Sequence, residues 1–169
     1  MGMIACYMEA DSDLIEKLKN KSTEDLFEEI EELADAGELE IYDMDKMWDG
    51  LHFILTGISA ATPIENNLLS EAVVGTAMFS DDESADFISY IYPERVSEIL
   101  DALKNFDIDN ALSDFSPRVL AQNDIYPTMI WAENEKDSLK NELVTAFNEL
   151  KQFFTSMNNG HKGVIVSIY

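Results

Sequence analysis

Apolar residues recur at helical spacing in several stretches of the chain. Leu14, Ile15 and Leu18 form a short stripe after Asp11 or Ser12, either of which can start a helix. Leu26, Phe27, Ile30, Leu33 and Ala34 repeat from a Ser22 or Thr23 cap to Gly37. Pro93 suits the first position of a helix with a core face of Val96, Ile99, Leu100 and Leu103. Leu139, Leu143, Phe147, Leu150, Phe154 and Met157 line a long helix that stops at Asn158-Asn159-Gly160. Unbroken apolar runs predict strands instead: Gly2 to Met8, Ala72 to Phe79 with a bulge at Gly75, Phe87 to Tyr92, and Val164 to Tyr169 in a sheet interior. Ser80 to Glu83 reads as an exposed connection. Ser116-Pro117 breaks the stretch between Asp107 and Asp124 into short helical pieces, with Leu112, Phe115, Val119 and Leu120 pointing inward. Ile125 to Trp131 is apolar but holds Pro127, which disfavours a central strand and predicts an irregular, partly buried segment.

The stretch from Tyr42 to Gly57 concentrates the candidate chemistry. Asp45 or Asp43 can cap a helix, and Gly57 suits the left-handed position past its end. Met47, Trp48, Leu51, Ile54 and Leu55 fall on one arc, Asp45, Asp49 and Thr56 on a polar stripe, and His52 at the seam between them. Two readings follow. In one, Asp49 and His52 are a coupled acid–base pair beside a Trp48 wall, with the carboxylate favouring the protonated imidazole. In the other, His52 is a rim residue that bonds a neighbouring backbone group and seats the helix. A pocket would draw on Asp45, Trp48, Asp49, His52, Tyr126 and Trp131, with the two tryptophans close together.

The run Asp43-Met44-Asp45-Lys46-Met47-Trp48-Asp49-Gly50-Leu51-His52-Phe53-Ile54-Leu55-Thr56-Gly57 resembles the signature of the YfbM-like family of small bacterial proteins, a domain of unknown function. Met1-Gly2-Met3 with Tyr7, and Ile125-Tyr126-Pro127 with Trp131, resemble its other landmarks in order and spacing. The resemblance spans nearly the whole chain and implies a single α+β domain. It supplies no catalytic residues.

Charge is the strongest global signal: 34 acidic residues against 11 basic, a formal net of −23. From Glu9 to Asp49 there are 16 acidic and 4 basic residues, a net of −12. Binding nucleic acid through its phosphates is excluded, because that needs a basic face. A basic protein partner, or a cation, becomes plausible. The candidate interaction face is the outer side of the second helix, with Glu24, Asp25, Glu28, Glu29 and Glu32 directed outward. Like charges four apart there oppose the helix by a few tenths of a kcal/mol each, roughly, so its apolar stripe must outweigh them. A solvated surface is the simpler explanation of the same acids.

Cys6 is the single cysteine, so an intramolecular disulfide is impossible, and a reducing cytoplasm is expected. The opening residues carry Glu9, Asp11 and Asp13 rather than a basic start and an apolar run, and no membrane span is expected. Asp43-Met44-Asp45 before Asp49-Gly50 fails as a calcium loop, since Met47 and Trp48 fall where a ligand and a glycine are needed. The aspartate pair after Ile41-Tyr42 is too close to a helix start for a strand-end nucleophile. No phosphate-binding glycine loop, zinc spacing or Gly-x-Ser-x-Gly turn is present, and His161 reads as a surface residue after the long helix. The expected molecule is one helix-rich α+β domain over residues 1–169 with a small mixed, mainly antiparallel sheet. No cofactor, metal or catalytic residue is assigned. It is expected to bind a basic protein, as an inhibitor or immunity-type partner would, and the alternative is an enzyme or small-ligand binder using the Trp48–His52 pocket.

Overall fold

The sheet is built around β5 (Gly163–Ile168), whose six residues are all buried. A strand covered on both faces needs a continuous apolar run, and Val164-Ile165-Val166 supplies one. In the computed structural model, which describes residues 2–82 and 86–169, β5 pairs with β1 (Ala5–Ala10) on one side and β4 (Phe87–Ile91) on the other. β2 (Ile41–Asp45) and β3 (Ala77–Met78) close the edges, giving the order β2-β1-β5-β4-β3. The mainly antiparallel sheet expected is antiparallel in every pairing. Glu83 of the expected connection and the opening Met1 lie outside the described residues.

Strand alternation divides the interior in two. Ala5, Tyr7, Val164, Val166, Ile168 and Ile91 face the larger core, and Met8, Ala10, Ile165 and Ile88 face the smaller one. The smaller core is covered by α1 (Ser12–Lys19) and α2 (Thr23–Ala36). Asp11 caps α1 by accepting from Leu14 N at 2.8 Å, and Ser22 caps α2 by accepting from Asp25 N. The larger core is covered by α3 (Trp48–Thr56), α4 (Leu68–Val74), α5 (Pro93–Asn105), α6 (Ile108–Ala111), α7 (Pro117–Gln122) and α8 (Lys136–Asn159). The predicted faces of α5 and α8 are buried as expected.

Four local expectations are corrected. Residues 72–74 are the end of α4, and the expected strand shrinks to Ala77 and Met78, flanked by Thr76 and Phe79, whose N–H groups also donate to β4. Asn67 decides this, because its side chain accepts from Leu69 N and Ser70 N and so nucleates a buried helix. Residues 41–45 form a strand before α3, so Asp45 ends β2 and does not cap the helix. The residue at the cap is Met47, and no side chain caps there. Val119 is exposed, because α7 turns Leu120 inward instead. Ile54 is only half-buried. Gly57 closes α3 in the left-handed conformation, as read from the sequence.

Gly50 is held to its identity by a close approach rather than by its backbone angles. A Cβ there would meet the Trp131 ring at 2.6 Å. The ring is only 6% exposed and donates its Nε1 proton to Ile125 O at 2.7 Å, so it cannot withdraw without losing that bond. Gly50→Ala is therefore expected to lower stability by about 1–3 kcal/mol through overpacking. Urea denaturation of the variant checks this, and an unchanged midpoint would show that the ring has room to shift.

Candidate functional site

The polar residues of α3 are inside the protein. Asp49, placed on a solvent stripe by helical spacing, is 2% exposed. Its carboxylate accepts from Ala60 N at 2.7 Å, Tyr126 N at 2.7 Å and the Ser59 hydroxyl at 3.0 Å. One carboxylate thus fastens the loop after α3 and the irregular segment before α8 to the same helix turn. Tyr126 then stacks on Trp48, with ring centroids 5.4 Å apart and planes inclined by 26°. Trp48 donates to Met3 O at 3.3 Å, which ties the start of the chain to this cluster.

His52 is fully buried, not a rim residue. Nδ1 lies 2.9 Å from Ile58 O, a carbonyl that can only accept, so the proton sits on Nδ1. Nε2 then accepts from the Ser70 hydroxyl at 2.8 Å, and Ser70 Oγ accepts in turn from Ile64 N at 3.1 Å. Burial pushes the imidazole below its ordinary value, outweighing the opposing effects of the Ile58 carbonyl and the Asp49 charge. The neutral form is the one stabilised, opposite to the expected protonation beside Asp49. No hydrogen bond joins Asp49 to His52 among the described residues. Ser70 with His52 has the outline of a nucleophile and base, yet Ser70 is wholly buried and its hydroxyl is already engaged as donor and acceptor.

The structure places Trp48, Asp49 and His52 on α3 and sets Tyr126 and Trp131 against it, with both tryptophans, Asp49 and His52 buried. Both tryptophans belong to the larger core. None of the five lines the cavities beside Glu71, between β2 and α8, beside Phe106 or beside Cys6. Asp45 is the exception among the six, and it lines a groove between β2 and α8 with Tyr42, Asp43, Glu142 and Glu149. That groove was not legible in the sequence, since β2 was not recognised as a strand and Glu142 and Glu149 lie about a hundred residues away. A second cavity of about 160 Å³ lies beside Glu71. Its carboxylate is 5% exposed and forms a bidentate pair with Arg95, with both contacts at 2.8 Å.

On the acidic face, Glu24, Asp25, Glu28 and Glu32 are exposed as expected. Glu29 is not. It is half-buried and paired with Lys17 and, at 2.8 Å, with Lys21, so it joins α1 to α2. These hydrogen bonds hold its carboxyl down at about 2. Among the described residues, no group of three or more metal-ligating side chains is present, and no helix is long and apolar enough to cross a membrane.

The family described as a domain of unknown function (DUF1877) matches residues 1–167. Protein YfbM of Escherichia coli (strain K12) is 32% identical over 139 residues, covering 82% of this chain and 81% of that protein. The crystal structure of the Escherichia coli protein of unknown function YfbM superposes with a TM-score of 0.78 at 28% identity, over 98% of this chain and 99% of the other. The chain belongs to the DUF1877 family.

The bonding of His52 sets a sign for its pH dependence. An unfolded His52 takes up its proton near 6.5 and the folded one only at lower pH. Below that pH the unfolded state binds more protons, so this contribution to stability falls as the solution is acidified from about 6.5. His52→Gln removes that loss and leaves at least one buried partner unpaired, at a cost of about 1–3 kcal/mol at neutral pH. Urea midpoints of both proteins above and below pH 6.5 test it, and equal pH dependence in the two would refute the neutral, buried assignment. Asp49→Ala strands one buried and one part-buried amide proton, at Ala60 and Tyr126, and is expected to lower the urea midpoint by an amount worth about 3 kcal/mol.

Proposed function

We propose that this DUF1877 protein works without catalysis, by binding a basic protein in the manner of an inhibitor or immunity-type partner, in the cytoplasm. The observation that carries the reading is the imbalance in charge pairing. The ion pairs among the described residues engage Glu9, Glu16, Glu29, Glu71 and Glu98. Thirty-four acidic residues are present, so most of the carboxylates have no lysine or arginine within salt-bridge distance among the described residues.

An exposed carboxylate row gains little from its own fold and repels its neighbours. A lysine- or arginine-rich surface brought against it relieves that repulsion and is steered toward it from a distance. The absence of spare capacity at His52 and Ser70 supports a binding role over an acid–base one. Cys6, alone and half-buried, is compatible with a reducing compartment.

The test needs the natural partner, captured from an extract of the source organism at low ionic strength and then purified. Affinity for it is expected to fall at least tenfold between about 50 mM and about 200 mM salt. The triple change Glu24→Gln, Glu28→Gln, Glu32→Gln is expected to weaken binding in the same direction without moving the melting temperature downward. Glu29 is left in place because it holds α1 to α2. A partner indifferent both to salt and to neutralised acids would leave the charge as a solubility feature.

A further inference from the structure

We infer that the open edge of β2, beneath α8, receives an extended lysine- or arginine-rich segment of another protein, which joins the sheet as an added strand. This rests on the reading above that the partner is basic, and it names where part of that partner sits.

Among the described residues, the sheet order leaves one side of β2 without a neighbour. Glu9 N donates to Glu40 O at 2.8 Å, and Tyr7 is opposite Tyr42 two residues along, so Glu40 and Tyr42 turn their backbone groups toward β1. Ile41 is opposite Met8, and Asp43 opposite Cys6, in the alternate positions of the ladder. Their N–H and C=O groups therefore point away from the sheet, spaced to pair with a further strand. Asp45 marks the end of the usable edge, because its N–H is taken by the Asp43 side chain at 2.7 Å.

An open groove adjoins this edge. The groove between β2 and α8 holds about 410 Å³. Tyr42 and Met44 line it from β2 and Glu142, Ala146 and Glu149 from α8, with the Tyr42 hydroxyl donating to Ala146 O at 3.3 Å. The charge of the lining selects the occupant. Asp43 and Asp45 stand on the strand and Glu142 and Glu149 on the helix, all four exposed and none in an ion pair among the described residues. A second copy of this chain would bring the same acids against them, and a short, charged edge with a register shift in β1–β2 resists such self-pairing. A segment with lysines on alternate positions meets Glu142 and Glu149 on one face while its backbone pairs with Ile41 and Asp43.

The probe is a capped, fluorescently labelled peptide of alternating lysine and valine, about eight residues long, enough to span the strand. Three companions accompany it: a glutamate–valine peptide, and two lysine–valine peptides N-methylated on one or the other set of alternate amides. All lysine peptides have the same charge, but each methylated one can pair through a single edge only. The expected result is binding by the unmodified peptide, at least tenfold weaker binding by one methylated form and not the other, and none by the glutamate peptide. Slowed hydrogen exchange at the Ile41 and Asp43 amides of the bound protein is expected alongside. Equal binding of all lysine peptides, or no change in exchange at those amides, overturns strand addition and leaves the basic-partner reading standing. Loss of binding on Glu24→Gln, Glu28→Gln, Glu32→Gln but not on Glu142→Lys puts the peptide on α2 and overturns the groove alone. No binding of any lysine peptide also overturns it, and the captured partner of the preceding section then decides the wider reading separately.

Discussion

Asp49 takes a carboxylate into the interior, and among the described residues no lysine or arginine pairs with it. A buried charge costs several kcal/mol unless it is well bonded, roughly, and here two backbone amides and a hydroxyl supply the bonding. Those donors come from two segments remote in sequence. The bond to Tyr126 N helps fix the backbone from which the Tyr126 ring stacks on Trp48. The Trp131 ring is held at Gly50 by a neighbouring bond, to Ile125 O. The irregular segment is thus fixed by one bond to α3, at Tyr126 N, together with bonds of its own and one to Leu120 O of α7.

This explains why the same residues could be read as a pocket. A Trp, an Asp and a His within five positions have the composition of a reactive site. They also suit a structural junction, where polar groups must be matched one for one inside an apolar environment. The sequence contains both possibilities, and only the partners decide. His52 finds a carbonyl and a hydroxyl, Asp49 finds amides, and each group is satisfied within the chain.

Periodicity made α1, α2, α5 and α8 legible to within a few residues, because each has one apolar face and a recognisable start or stop. It failed where an element is buried all round or barely apolar. Ala72-Val73-Val74 is buried on every side in α4, so neither helical nor strand alternation is visible. β2 reads as Ile-Tyr-Asp-Met-Asp, an edge strand with one buried residue, and it gives almost no signal. The acidic face was legible as composition. Its one structural member, Glu29, was not, since its pairing lysines lie outside α2, Lys17 in α1 and Lys21 in the turn between the helices.

The distribution of the aromatic side chains has an optical consequence. Trp48 and Trp131 are the only tryptophans, and both lie in the core on one side of the sheet. The layer formed by α1 and α2 contains none. Tryptophan emission, excited selectively, therefore reports on one half of the molecule. If α1 and α2 peeled away at mild denaturant concentrations, the emission spectrum would hardly change, and an apparently single transition would follow the larger half alone. Far-ultraviolet dichroism, which registers the helices of both layers, records events to which the indoles are blind.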